Sequence, residues 1–519
     1  MFFSTHKENY NTQTSLWDWG VVLLCTIVAS VSTWVSYTGE YILAYNDATA
    51  HLNTARRIVD NLTPGLVQIG SVWLPLLHLL EIPFVLNDFL WQSGLAGAIV
   101  SGISFIIAGI FIFKLTKQCS QSNIAGLFAV LVYLTNVNML YLQSTAMFEP
   151  LLIALATGAV YYLYRWTQSF IIKELIISAF LTMLATLTRY DGWALFLAIS
   201  GYILVFSIFV YRKAKEGPVL IYIFLAGFGI FLWLLYNNMI FGDPLYFANS
   251  EYSAKAQQDV LFERGALPTK HNLPLSIVTY SYAVIVNNGF IIVSIALMGL
   301  VIYLYKNGRS FRNYSPLLLL IPYFFNCVSL YFGQSVIWLP MVPPFYTTYF
   351  NARYGILMLP ALALLVGYFA SRNIFTKGIT ALALVTQFIL FFNPTLVPIA
   401  GQEVGIITLQ DTVSSVNEQT RKASSFLNSN YRGGLILASS ASEDAFIFRA
   451  GIPLKNFITE GTGHYWRESL EHPSRYATWI VFFNDTTDRV GKVVYSSPEL
   501  TEYFEKVYQD QTYQIWKRK

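Results

Sequence analysis

Charged side chains are scarce in this 519-residue sequence: Asp, Glu, Lys and Arg together make up only 12% of it. Soluble domains contain about twice that share, and so few charges could not cover the surface of a soluble protein of this size. Aromatic side chains, at 16%, are too abundant for a disordered, collagen-like or coiled-coil chain. The composition therefore predicts a polytopic membrane protein with a smaller soluble part.

Cysteines and nucleotide-binding motifs are also scarce. Cys25, Cys119 and Cys327 have no metal-binding spacing and fall in or beside apolar runs, so we interpret them as packing residues rather than disulfide partners. The sequence contains no P-loop, which argues against an ATP-driven machine. The net charge of +4 is too small to indicate a nucleic-acid partner.

The first 395 residues contain repeated apolar runs that can cross a bilayer as helices. We predict about eleven such spans, at residues 17–37, 92–113, 123–142, 150–165, 172–187, 192–211, 219–240, 277–305, 314–332, 354–370 and 375–393. From about residue 396 the composition becomes mixed polar. We therefore expect a transmembrane domain over residues 1–395 and a soluble domain over residues 396–519.

Basic residues predict the orientation of these spans. Alternate short loops contain Lys7, Lys114, Lys117, Arg165, Lys173, Arg212, Lys213, Lys215, Lys306, Arg309, Arg312, Arg372 and Lys377. The positive-inside rule then places the N-terminus in the cytoplasm and the C-terminal domain outside it. The large outer loops would be residues 38–91, 241–276 and 333–353, so we expect the working surface at the outer membrane face. The short loops and missing disulfides favour a prokaryotic inner or plasma membrane.

The C-terminal region alternates between apolar and amphipathic segments. We predict strands at residues 434–440 and 476–483, helices at 442–449 and 498–506, and an edge strand at 508–516. Such alternation is typical of a small α/β domain.

The first outer loop opens with an amphipathic segment. Asn46 suits the N-cap position, and Asp47 in the first turn suits the helix dipole. Asp47 and His51 lie four residues apart and share one face, opposite an apolar face formed by Ala48, Leu52, Ala55 and Val59. We therefore predict a helix at the membrane interface that presents a carboxylate beside an imidazole. His51 could instead form only a local hydrogen bond.

The next stretch, residues 64–78, is apolar but is interrupted by Gly and Pro. It is too short and broken to span a membrane, so we expect it to line a lipid-facing groove. Its Gln68 and Trp73 are candidate substrate contacts.

Four further ionisable residues lie at the outer ends of predicted spans, namely Glu149, Arg189, Asp191 and Arg353. Charges near membrane depth are costly, which makes each a functional candidate. Each also has a structural interpretation: Glu149 could begin a helix, Arg189 could pair with Asp191, and Arg353 could extend to lipid headgroups.

Together these features resemble the GT-C superfamily of membrane glycosyltransferases, in particular the protein O-mannosyltransferases and the lipid A aminoarabinose transferases. The shared features are many spans, an acidic residue and an interface helix in the first outer loop, an acidic residue in the second, an Arg-Tyr pair near a late span and an outer C-terminal domain. In this sequence Asp47, Glu149 and the pair Arg353–Tyr354 hold those positions.

The resemblance has one departure. Many relatives have two adjacent acidic residues in the first outer loop, whereas Asp47 follows Asn46 and precedes Ala48. A divalent cation is therefore left open, with Asp47, Glu149 and His51 as its candidate ligands.

The resemblance implies an inverting transfer of a sugar from a polyprenyl-phosphate donor to a glycan, lipid or protein acceptor. Asp47 would act as the base that takes the acceptor proton. Arg189 and Arg353 would bind the phosphate, because guanidinium groups bind phosphate oxygens bidentately. Glu149 and Asp191 would hold the acceptor, orient a basic partner or bind a metal.

Other functions fit the same composition. A secondary transporter or flippase of lipid-linked sugars would show paired halves, broken helices and charges at the bilayer midplane, whereas here the acids crowd one face. A polysaccharide ligase or polymerase would share the chemistry and differ only in its acceptor. A non-catalytic receptor would not need acids beside arginines at membrane depth.

Overall fold

The computed structural model describes residues 15–211, 216–251, 253–340, 342, 348–393, 396–404, 414–484 and 488–519. The basic residues Lys7, Arg212, Lys213 and Lys215, on which part of the orientation prediction rests, lie outside the described residues. The α-helices of the described residues are α1 Leu16–Thr38, α2 Asn46–Arg57, α3 Leu76–Val85, α4 Asp88–Gln92, α5 Leu95–Ser120, α6 Asn123–Leu134, α7 Val137–Leu142, α8 Phe148–Ser169, α9 Ile172–Thr186, α10 Asp191–Phe206, α11 Glu216–Phe241, α12 Tyr246–Asn249, α13 Ala254–Glu263, α14 Leu273–Asn288, α15 Phe290–Asn307, α16 Ile321–Tyr331, α17 Leu359–Ala370, α18 Ile374–Leu390, α19 Ser414–Asn430, α20 Ser440–Arg449, α21 His464–Glu471, α22 Arg489–Val494 and α23 Pro498–Tyr503.

The chain is an integral membrane protein built mainly from helices. By length and composition, 7 helical segments of the described residues could cross a membrane, and three shorter apolar helices, α3, α6 and α18, accompany them. The 7 segments are Leu16–Thr38, Leu95–Ser120, Asp191–Tyr211, Glu216–Phe241, Phe290–Asn307, Phe311–Tyr331 and Ala352–Ala370. Helices also form at the predicted spans 150–165 and 172–187, as α8 and α9. The predicted polytopic helical class is confirmed.

Two predicted spans are broken helices. The span 123–142 divides into α6 and α7, because Asn136 caps the second helix by accepting a hydrogen bond from the Met139 N–H at 3.0 Å. The span 277–305 divides into α14 and α15 at Gly289, whose φ of 85° lies in the left-handed region. This conformation favours glycine, and the end of the Gln387 side chain packs where a Cβ would lie.

α17 lies inside the bundle. Each of its 12 residues is buried, and it packs against α6 and α15. A 3₁₀ turn, Ala352–Met358, leads directly into it. A residue at the start of this turn is therefore held at the end of a helix that is enclosed by other helices.

The C-terminal domain is an α/β unit with a mixed five-stranded sheet in the order β2-β1-β3-β5-β4. Its strands are β1 Leu435–Leu437, β2 Phe457–Ile458, β3 Ala477–Phe483, β4 Phe504–Gln509 and β5 Tyr513–Arg518. β1 pairs in parallel with β2 and β3, whereas β3, β5 and β4 pair antiparallel, with Ile480 opposite Trp516. The predicted α/β character of this region is confirmed.

The end of the chain differs from the prediction. The predicted helix 498–506 ends at Tyr503, and the next residues form β4, which is the edge strand. β5 lies between β3 and β4, so the predicted edge strand at 508–516 is wrong in both limits and position. Asp510 explains the hairpin, because its carboxylate accepts the N–H groups of Thr512 at 2.8 Å and Tyr513 at 2.7 Å and so turns the chain back.

The C-terminal domain packs on α2. Asn53 donates hydrogen bonds to the backbone carbonyl of Asp444 at 3.0 Å and to its carboxylate at 3.1 Å. Asp60 accepts the N–H groups of Leu454 and Lys455, each at 3.3 Å. These contacts attach α2, the helix that carries Asp47, to the C-terminal domain.

Candidate active site around Arg353

Arg353 is the centre of a buried cluster of charged side chains. It lies in the 3₁₀ turn before α17 and is only 7% exposed. Its Nη2 is 2.7 Å from Asp47 Oδ2, and its Nε is 3.2 Å from Glu149 Oε1. Its Nη1 donates to the Tyr45 hydroxyl. The structure thus brings together the predicted site residues Asp47, Glu149 and Arg353 from three distant parts of the chain.

The backbone around Arg353 is held on both sides. Asn351 has a φ of 52°, in the left-handed region, which turns the chain into the 3₁₀ segment. Glu403 accepts the N–H groups of Asn351 at 2.8 Å and of Ala352 at 3.1 Å. Asn287, at the end of α14, donates to the Ala352 carbonyl at 2.6 Å. The broken helix at Gly289 therefore supplies one of the groups that fix the site.

Glu149 links Arg353 to a second arginine. Its Oε1 also accepts from Arg189 Nη1 at 2.9 Å, and Arg189 Nε is 3.0 Å from Asp191 Oδ2. Asp191 in turn accepts a hydrogen bond from Asn326 at 3.2 Å. The pairing of Arg189 with Asp191, considered above as a structural alternative, is present. It forms one end of a connected row of charged side chains, called here the chain of charges, which consists of Asp191, Arg189, Glu149, Arg353 and Asp47.

One aromatic ring, that of Tyr354, contacts both guanidinium groups. The ring centroid of Tyr354 is 4.8 Å from the Arg189 Cζ and 5.4 Å from the Arg353 Cζ. Because the face of an aromatic ring attracts cations, Tyr354 reduces the repulsion between these like charges.

Asp47 is the open end of the chain of charges. Its side chain is 36% exposed, whereas the side chain of Glu149 is 1% exposed and that of Arg353 is 9% exposed. An incoming molecule can therefore reach Asp47 without unpacking the cluster.

His51 lies one turn beyond Asp47 on α2 but is only 2% exposed. Its Nδ1 is 3.2 Å from Nε2 of His78, and its ring packs edge-on to Trp73 with centroids 4.4 Å apart. Burial, with the charges of Arg353 and Arg189, lowers the pKa of His51 to about 3. His51 is therefore neutral at physiological pH, and Trp73 lies beside it at the edge of the cluster.

Gln68 is not part of the cluster. Its amide donates to the carbonyls of Thr63 at 2.7 Å and of Gly461 at 2.9 Å, and it is buried between the first loop and the C-terminal domain. The structure therefore places this predicted substrate contact at the interface between the two domains.

The arrangement around Asp47 does not form a metal site. Within the described ranges, no three His, Cys, Asp or Glu side chains converge as ligands. Asp47 and Glu149 both face Arg353, whereas His51 faces His78, so the three candidate ligands do not converge on one point.

A small apolar cavity, of about 20 Å³, adjoins the far end of the chain of charges. Asp191 is the one charged side chain in its wall, which is otherwise formed by residues such as Leu152, Leu195, Leu318 and Leu357. The site therefore joins a solvent-accessible carboxylate, two buried guanidinium groups and an apolar space.

Sequence reasoning missed two residues of the cluster, Tyr45 and Glu403. Tyr45 precedes Asp47 by two residues, and Glu403 is a single acid in the otherwise nearly uncharged stretch 388–410. An isolated acid after the last predicted span was the signal available for Glu403.

This protein is similar to known proteins in its structure but not in its sequence. No protein-family model and no curated protein matches this sequence. A crystal structure of ArnT from Cupriavidus metallidurans bound to undecaprenyl phosphate matches with a TM-score of 0.55 and 12% sequence identity, and covers 96% of this chain and 98% of that chain. The apo state of the same protein matches with a TM-score of 0.53 and 14% identity, over 96% of this chain and 97% of that chain. The chain thus has the same fold as ArnT, which confirms the predicted architecture of membrane helices with a small C-terminal α/β domain.

Proposed function

We propose that this protein is a membrane glycosyltransferase that moves a sugar from a polyprenyl-phosphate donor to an acceptor, with inversion at the anomeric carbon. The observation that carries the proposal is the accessible Asp47 carboxylate, 2.7 Å from the buried guanidinium of Arg353. The fold supports it, because ArnT is an enzyme of this architecture and its crystal structure contains undecaprenyl phosphate.

Asp47 would act as the general base. One of its oxygens, Oδ2, accepts the Arg353 hydrogen bond, and the exposure of the side chain leaves Oδ1 able to accept another. An acceptor hydroxyl would give its proton to Asp47 while its oxygen forms a bond to the anomeric carbon. The bond between that carbon and the donor phosphate would break, and its electrons would leave with the polyprenyl phosphate.

Arg353 and Arg189 would stabilise the departing phosphate. Buried, pre-positioned cations stabilise developing negative charge more strongly than solvated ones do. Arg353 uses Nε on Glu149, Nη1 on Tyr45 and Nη2 on Asp47. Each Nη carries a second N–H, which can donate to a phosphate while these contacts stay in place. We therefore assign Glu149 and Asp191 to orienting the two arginines.

The small apolar cavity beside Asp191 would have to widen to receive part of the polyprenyl chain. Its position next to Arg189 would place the phosphate of a bound lipid near both guanidinium groups. His51 and Trp73, beside Asp47, would border the acceptor side. The contacts of Gln68 with Gly461 favour a role in holding the C-terminal domain.

A divalent cation would have to replace Arg353 as the partner of Asp47 and Glu149. Because these carboxylates already face a guanidinium, we propose that transfer does not require a metal. We further propose that residues 1–395 form the membrane domain, and that the C-terminal domain lies outside the cytoplasm of a prokaryotic cell.

The test uses the purified full-length chain in lipid nanodiscs. Undecaprenyl phosphate carrying glucose, mannose, galactose, arabinose or 4-amino-4-deoxyarabinose would be supplied with a lipid and glycan extract as the acceptor. We expect at least one donor to release undecaprenyl phosphate, detected by mass spectrometry, and EDTA to leave the rate unchanged. Extension of a glycan chain in the product would assign a ligase or polymerase.

A transporter would give a different result. If none of these donors is cleaved while intact donor crosses the bilayer of proteoliposomes faster than in protein-free vesicles, the flippase alternative replaces this proposal. Loss of activity with EDTA, restored by one divalent cation, would overturn the metal-independent mechanism alone.

A further inference from the structure

Glu403 lies after the last membrane helix, outside the groups to which the proposed reaction assigns a role. It ends the segment Pro398–Glu403, in which the residues from Pro398 to Gly401 are buried. Asn138 accepts the Ile399 N–H at 3.2 Å and anchors this segment to the bundle. Glu403 is thus attached to a fixed piece of backbone.

The Glu403 carboxylate contacts both sides of the candidate site. On one side it accepts the N–H groups of Asn351 and Ala352, at 2.8 and 3.1 Å, and so fixes the turn that presents Arg353. On the other side it accepts the Tyr45 hydroxyl at 2.5 Å. Tyr45 lies at the N-cap position of α2, the helix on which Asp47 occupies the first turn.

Tyr45 connects Glu403 to Arg353. Its hydroxyl accepts a hydrogen bond from Arg353 while it donates to Glu403, and the Arg353 Cζ lies 4.8 Å from the centroid of its ring. One carboxylate therefore holds the backbone of Arg353 and, through Tyr45, the beginning of the helix that carries Asp47.

We propose that Glu403 is a positioning residue, acting through Tyr45 and through the Asn351–Ala352 turn, that sets the separation of Asp47 from Arg353. This inference rests on the proposed function, because the separation matters for catalysis only if Asp47 is the base and Arg353 binds the phosphate. Glu403 itself touches neither the accessible face of Asp47 nor the apolar cavity.

The first experiment measures the coupling without any substrate. Hydrogen exchange followed by mass spectrometry would compare the wild type, E403Q, Y45F and the double variant in the full-length chain. Because Glu403 touches both segments, E403Q should raise exchange in peptides covering residues 44–58 and 349–358, and Y45F should do so in both to a smaller extent. The matched control is E418Q, since Glu418 is 44% exposed and forms an ion pair with Lys422 on the surface of α19.

The second experiment measures turnover with the donor found active in the nanodisc assay. We expect E403Q to lower kcat about tenfold, the size usual for losing one hydrogen bond to a charged group, with the donor KM changed less than about twofold. The donor KM should stay nearly unchanged because Glu149 still anchors Arg353. The losses of kcat in the double variant should be less than multiplicative, since E403Q weakens and Y45F removes the same hydrogen bond.

Two results would overturn the proposal. One is an E403Q effect on exchange confined to residues 349–358, which would reduce Glu403 to a local turn contact. The other is multiplicative losses of kcat in the double variant, which would mean that Tyr45 and Glu403 act separately. If E403Q does not fold, Y45F alone decides the matter, because it removes one oxygen and keeps the ring on Arg353. A wild type without turnover would end the proposed function, while the exchange data would still decide the coupling.

Discussion

Replacing the Asp47 carboxylate by an amide, in the variant Asp47→Asn, separates a catalytic role from a structural one. The two side chains have the same shape, and the amide oxygen can still accept the hydrogen bond from Arg353 Nη2. The variant therefore removes the charge and the basicity while it keeps the local packing.

The two roles differ in expected magnitude. The Asp47 side chain is 36% exposed, and ion pairs as accessible as this one contribute about 1 kcal/mol or less to stability. A general base contributes about a 10²–10⁴-fold rate increase, which corresponds to about 3–5.5 kcal/mol of the barrier. We therefore expect D47N to melt within a few degrees of the wild type and to lose at least about 99% of its turnover.

The assay combines melting by intrinsic tryptophan fluorescence with release of undecaprenyl phosphate in nanodiscs. The control is D88N, because Asp88 also lies 2.7 Å from an arginine, Arg56, but outside the cluster. Its turnover should match that of the wild type. If D47N keeps a third of the wild-type rate, or if D88N loses as much activity as D47N does, Asp47 is not the base.

Three further substitutions probe the rest of the cluster and the domain interface. Arg353→Lys keeps the charge but loses the planar fork of the guanidinium. Binding of undecaprenyl phosphate, measured by a tryptophan-quenching titration, should therefore weaken about tenfold, with little change in melting temperature. Unchanged affinity would assign Arg353 to a structural role alone. Glu149→Gln removes the carboxylate shared by Arg189 and Arg353 and should cost about 3 kcal/mol or more of stability, seen as a clearly lower melting temperature in detergent. An unchanged melting temperature would show that the ion pairs of Glu149 do not stabilise the fold by this amount. Burial raises the pKa of Asp444 from 3.8 to about 6, so its ionised form costs stability in full above pH 6, and this cost disappears only below the unfolded pKa of 3.8. Asp444→Asn should therefore melt above the wild type at about pH 7.5 and match it only below about pH 4. A variant that melts lower than the wild type at about pH 7.5 would contradict this.

The fold class was predictable because it depends on composition and period. Long apolar runs specify helices in a membrane whatever their partners are, and the helix at residues 46–57 follows from its periodic apolar face. The predicted cap is wrong, because Asn46 is the first residue of the helix and Tyr45, at the N-cap position, forms no side-chain cap. The breaks within the predicted membrane spans were harder to predict from the sequence. A single glycine in an apolar run is compatible with a continuous helix, so the positive φ at Gly289 could not be read from the sequence.

The contacts of the candidate site could not be read from the sequence. Asp47 and Arg353 were each predicted to be functional because of their chemistry and their place at the ends of spans, but 306 positions separate them in the chain. Glu149 was predicted to hold an acceptor, orient a partner or bind a metal, and only the structure shows that both arginines share it. The roles of all these residues in the reaction stay predictions.

The energetic cost of the cluster itself favours a functional interpretation. Glu149, Asp191 and Arg353 are almost completely buried, and removing such groups from water costs several kcal/mol for each ion, which mutual attraction repays only in part. Apolar side chains would hold these helices together at least as well, as they do throughout α17. A structural cluster would also have no need for an exposed member, because exposure weakens an ion pair. That the chain of charges ends at an accessible carboxylate is explained if its purpose is to hold Asp47 and a guanidinium at a fixed separation where a substrate can reach them.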